Sequence, residues 1–156
     1  MLTNLLGVNV PDYPYEGQEI CHLFTGNWVI HHDQQGNRYR LLHENENSYD
    51  FIIEVLEHYG KIMQDDVLIQ PGDIILIDHH NHYIGHSMVA INEHVWFGVN
   101  NSTTFGKIFE VSGIPFDTLP LRREIDFLEL NDGAINYETK TINKFDGSQL
   151  QYEIWR

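Results

Sequence analysis

The 156-residue chain has the length of one domain, 1–156, and its 42% hydrophobic and 12% aromatic residues exclude wholesale disorder. Nine basic against 23 acidic residues leave a formal net charge of −14. That field repels phosphate backbones and anionic lipid, which excludes nucleic acid and membrane surfaces as expected partners and favours a basic protein. The single cysteine, Cys21, excludes an intrachain disulfide.

Taken in chain order, residues 1–19 hold Pro11, Pro14 and several turn formers and are expected to form an irregular arm. This stretch has no positive region and no long apolar core, so it does not read as a signal peptide. The expected location is cytoplasmic by default, or exported by a signal-independent route. No apolar run is long enough to cross a bilayer.

The apolar residues Ile20, Leu23, Phe24, Trp28 and Val29 predict a helix over 20–30, with Gly26 as a weak point. Residues 33–38 are expected to turn. The clearest helix is 49–59, with one apolar stripe at 52, 55, 56 and 59, Asn47 or Ser48 as N-cap, and Gly60 as its stop.

Beyond it the period changes. Pro71-Gly72 announces a turn, and the apolar run within 73–78 predicts a strand buried on both faces. A polar loop is expected over 79–85. Strands follow at 86–92 and 95–100, joined by a turn at Glu93-His94, with another at 107–112 and a loop at 113–120. Asp146-Gly147 predicts a C-terminal hairpin between 137–145 and 149–155. Helices first and mostly antiparallel strands afterwards make an α+β domain.

Cys21 lies at the expected start of the first helix. A helix N-terminus and a nearby imidazole both lower a thiol's pKa and make it nucleophilic. His86 lies far downstream on a strand that is able to fold back beneath the helix. A third polar residue is needed to hold the imidazole's tautomer, and Asn100 or Asn101 on the next strand is placed to do so.

A helix-initial Cys, then Pro71-Gly72-Asp73-Ile74-Ile75-Leu76-Ile77-Asp78, then Gly85-His86-Ser87-Met88-Val89-Ala90-Ile91, resembles the NlpC/P60 and CHAP branches of the papain-like cysteine peptidases. The resemblance covers about residues 18–106. It implies helices packed on a mostly antiparallel sheet, and a thiol peptidase or amidase that needs no cofactor. Peptide or amide bonds, including those of peptidoglycan-type peptides, are the implied substrates. Cys21 would be the nucleophile, His86 the general base and acid, and Asn100 or Asn101 the orienter. His22 stands where those families have a small residue. His22, His82 and Trp96 are the candidate substrate contacts, although Trp96 also reads as core or pocket wall.

Two other readings remain open. The charge suits a non-catalytic, immunity-type protein that binds a basic partner. Alternatively, His80 and His82, two apart on an extended strand, would join His86 as metal ligands in a cupin-like barrel. The downstream Glu such a barrel needs is absent.

Overall fold

The structure is a computed structural model that describes residues 3–5, 8–10, 20–34, 42–99, 125–129, 134–143 and 147–156. The expected strand at 107–112, the loop at 113–120, Asn100 and Asn101 lie outside the described residues, as does most of the turn expected at 33–38.

The architecture is α+β, with helices before a long antiparallel sheet. A small ladder of β1 (Thr3–Leu5) and β2 (Val8–Val10) precedes them. It replaces part of the irregular arm, because Val8 and Val10 alternate with Asn9 and suit a short strand. β2 packs against α1 (Ile20–Gln34).

Every residue of α1 from Cys21 to Ile30 is buried. A helix enclosed on all sides needs no single apolar stripe, which is why its periodicity is weak. Two of its buried polar side chains are satisfied internally or by the sheet: Asn27 Nδ2 donates to the Leu23 carbonyl (2.9 Å), and Thr25 Oγ1 to the Ser87 carbonyl (3.2 Å). Gly26 marks the close approach to the second helix. A Cβ there would lie 2.4 Å from Phe51 Cε2, so the position is held by packing and the helix runs through it.

α2 (Ser48–His58) follows its sequence signals at both ends. The Asn47 side chain accepts from the Asp50 N–H (2.8 Å), which caps the first turn. At the other end Gly60 adopts φ +73°. Gly60 N–H reaches the Glu57 carbonyl and Lys61 N–H the Leu56 carbonyl, the paired bonds of a Schellman stop.

The remaining strands are β3 (Met63–Gln64), β4 (Ile74–His80), β5 (Tyr83–Ala90), β6 (Val95–Val99), β7 (Ile125–Glu129), β8 (Ile135–Asn136), β9 (Thr141–Asn143) and β10 (Gln149–Trp155). Their spatial order is β7-β6-β5-β4-β10-β9-β8, with β3 also on β10, and every pairing is antiparallel. The C-terminal β10 pairs with β9 through its first half, as the hairpin expectation requires, and with β4 through its second. Residues 137–140 form a turn instead of extending β9.

Both faces of β4 are covered, as its continuous apolar run predicts. Ile74 and Leu76 join α1 and α2 in one apolar cluster; Ile75 and Ile77 join Met88, Trp96, Ile142 and Tyr152 in the other. Each such isoleucine contributes roughly 1.5–3 kcal/mol by leaving water.

The turn at Pro71-Gly72 is tied down by charge. Asp73, 1% exposed, accepts from Gln70 N–H (2.7 Å) and takes two bonds from the Arg156 guanidinium, Nε and Nη2 each at 2.9 Å.

The polar loop expected over 79–85 is instead the end of a tight hairpin. His79 and His80 finish β4, Asn81 and His82 make the turn, and Tyr83 pairs with His80. Asn81 supplies the positive φ (+53°) that so short a connection requires. Asp78 also adopts a left-handed conformation (φ +57°), opposite Gly85, where a Cβ would come within 3.2 Å of Asp78 Cβ. Strict alternation would send His79 to the same face as Ile77. Instead His79 meets Tyr49 of α2, and its partner Ile84 joins the helix-side cluster. The distortion at Asp78 thus rolls the hairpin tip toward the helices.

Candidate functional site

The first turn of α1 is docked on β5. Cys21 is fully buried on that turn, and its Sγ lies 3.6 Å from Nδ1 of its neighbour His22. His22 is itself fixed on both sides. Its Nε2 donates to the Ile84 carbonyl (2.9 Å), and its Nδ1 lies 2.9 Å from Ser87 Oγ. A carbonyl only accepts, so Nε2 carries the proton and Nδ1 of the neutral ring is an acceptor. The Ser87 hydroxyl has one proton, which goes either to Nδ1 or to the Cys21 carbonyl at 3.2 Å.

This arrangement is competent for proton transfer. A proton moved from the thiol to Nδ1 would leave an imidazolium whose Nε2–H stays on the Ile84 carbonyl. A carbonyl in that position orients the ring as a side-chain amide or carboxylate does in a catalytic triad.

His86 occupies the next position along β5 from Ser87 and is 2% exposed. Ser87 and Val89 face the helices, whereas Met88 and Ala90 lie in the opposite cluster. Period-two alternation groups His86 with Met88, and its strand partner Ile77 belongs to that same cluster. Burial lowers its pKa from the ordinary 6.5 to about 3, and protonation of nearby His22 would lower it further. The ring is neutral at physiological pH.

The structure thus brings Cys21, His22 and Ser87 together, while alternation assigns His86, the next residue along the strand, to the opposite face of the sheet. Asn100 and Asn101, the candidate orienters, lie outside the described residues. Trp96 is fully buried, its ring 6.4 Å from that of Tyr152, and takes a core position. His82 is exposed at the hairpin turn with its ring edge-on to Tyr49 at 5.7 Å.

The alternative ligand set does not converge. His80 is exposed and pairs with Asp78 (3.4 Å), His82 is exposed, and His86 is buried. Among the described residues no group of three or more His, Cys, Asp or Glu side chains is placed to hold a metal ion. No helix among them is long and apolar enough to cross a membrane.

Sequence reasoning missed Ser87 and the role of Ile84. The signal for Ser87 was present: a lone hydroxyl inside an otherwise apolar strand needs a partner, and a period of two assigns it the face opposite His86. The Ile84 carbonyl leaves no sequence trace, since any residue supplies one. Comparison with protein-family models, curated proteins and solved structures finds no match.

Proposed function

We propose that the chain is a thiol hydrolase cleaving peptide or amide bonds, with Cys21 as nucleophile. The observation that carries this reading is the contact between Cys21 Sγ and an imidazole nitrogen whose tautomer is fixed from behind, His22 Nδ1 at 3.6 Å with Nε2 on the Ile84 carbonyl. The sulfur attacks the carbonyl carbon, and the imidazolium returns the proton to the leaving amine as the C–N bond breaks. Water then releases the acid from the thioester. The Cys21 backbone N–H, in the first turn of α1, is one oxyanion donor.

Two imidazoles compete for the base. The resemblance to NlpC/P60 and CHAP peptidases gives it to His86, with Asn100 or Asn101 as orienter; the 3.6 Å contact of Cys21 Sγ with Nδ1 supports His22. Variants separate them. After exposure to peptidoglycan-derived peptides, intact mass spectrometry of the quenched protein is expected to show an acyl adduct that Cys21→Ala removes. Replacing the true base by alanine slows turnover by roughly 10²–10⁴-fold, while replacing the other has a far smaller effect. Turnover retained by Cys21→Ala contradicts the mechanism.

A second reading draws on burial. With Cys21 at 0% and His86 at 2% exposure, both groups also suit the core of an acidic protein that binds a basic partner without chemistry. Such a protein gives no adduct at all.

A further inference from the structure

Away from the thiol, β3, the end of β4, the turn after β8 and β10 line an open cleft of about 280 Å³. We propose that it is a ligand site for a small molecule of amino-acid or dipeptide size bearing an ammonium group, which would sit on Glu153. The proposal does not rest on Cys21 or on the hydrolase reading.

Glu153 is held as few surface carboxylates are. Its Oε1 accepts from His79 Nδ1 (2.8 Å) and from Trp155 Nε1 (3.2 Å). A carboxylate only accepts, so Nδ1 carries the His79 proton. Nε2 lies 3.2 Å from the Tyr49 hydroxyl, a hydrogen bond that either protonation state of the ring can make. Groups from α2, β4 and β10 thereby lock one carboxylate oxygen. The other, Oε2, takes no hydrogen bond from the described residues, although Glu153 lines the cleft and is only 27% exposed. Holding the three elements together uses Oε1 alone. The remaining oxygen is partly desolvated, on a residue that lines the cleft.

The rest of the wall defines the ligand's other end. Lys140, ion-paired with Asp65, lines the cleft together with the amides of Gln64 and Gln151. Leaving His79 aside, two carboxylates and one ammonium leave one net negative charge, set in a chain of charge −14. A plain anion is disfavoured there. A cation gains Glu153, and a zwitterion gains Glu153 at one end and Lys140 at the other. The volume is just below the usual range for drug-sized ligands, which sets the size class.

The Trp155 indole N–H, bonded to the same carboxylate, is a built-in reporter. Its ¹⁵N-resolved NMR signal in the intact chain is to be followed during titration with glycylglycine, its N-acetyl form and its C-terminal amide. Saturable movement with glycylglycine is expected, weakened roughly tenfold or more by N-acetylation and by Glu153→Gln, as loss of one charged contact requires. Lys140→Met should erase the preference for the free carboxylate over the amide, and this half-buried surface position is a second, independent variant if Glu153→Gln does not fold. No saturable shift with glycylglycine, equal binding of the N-acetyl form, or an unchanged preference in Lys140→Met overturns the proposal.

Discussion

Replacing Arg156 by methionine is expected to destabilise the fold by about 3 kcal/mol, because it strands a buried carboxylate. The Asp73 side chain is 2% exposed, while that of Arg156 keeps 33% of its surface in water. The two partners are therefore unequal. Removing the guanidinium leaves Asp73 with the Gln70 N–H as its remaining described bond and no counter-charge. Asp73→Asn has a milder effect, about 1–2 kcal/mol, since the released arginine can turn to solvent and the amide oxygen still accepts from Gln70. Arg156 Nη2 also donates to the Leu68 carbonyl (3.0 Å), so this one side chain ties the end of β10 to the segment entering β4. For a domain of this size the methionine variant should melt roughly 6–12 °C lower. A melting temperature within a degree of the parent would show that the pair contributes nothing net.

Acid should destabilise the protein through His86. In the unfolded chain this imidazole titrates near its ordinary 6.5; in the fold, burial moves it to about 3. Above 6.5 both states are neutral and the group contributes no pH dependence. Between 6.5 and 3 the unfolded state binds a proton that the folded state refuses, so stability falls as pH falls. The slope approaches about 1.4 kcal/mol per pH unit, or about 2 kcal/mol lost by pH 5. Other histidines titrate in the same window, so the measurement is a difference. Urea unfolding of the parent and of His86→Gln at pH 7, 6, 5 and 4 should give a shallower pH dependence for the variant. Parallel curves would mean that His86 charges within the fold without penalty.

Much of this architecture is legible in the residues. Asn47 and Gly60 delimit α2, the run Ile74–Ile77 announces a strand covered on both faces, and Asp146-Gly147 separates β9 from β10 in the chain. The failures have local causes. Gly26 looks like a helix breaker because propensity ignores the Phe51 ring that leaves no space for a side chain. The stretch 79–85 looks like a polar loop because composition outweighed pairing, although Asn81 is a good residue for a tight turn. The positive φ of Asp78, which swings His79 toward α2, is unreadable without its cross-strand partner Gly85.

The candidate site is legible only in part. Cys21 at a helix start and His86 on a strand of the sheet both lie in the expected elements. His22 was visible mainly as a departure from the resembling families. Its hold on the sulfur depends on Ser87 and on a backbone carbonyl, and contacts across more than sixty residues of chain have no periodic signature.

The most direct test of Cys21 as an activated nucleophile is its rate of alkylation by iodoacetamide in the native protein as a function of pH, with a denatured control. An activated thiol paired with an imidazole is predicted to react in the folded state, with a rate that persists down to about pH 6. A thiol silent until the chain is unfolded, or one whose native rate rises only near pH 8.5 as for free cysteine, contradicts it.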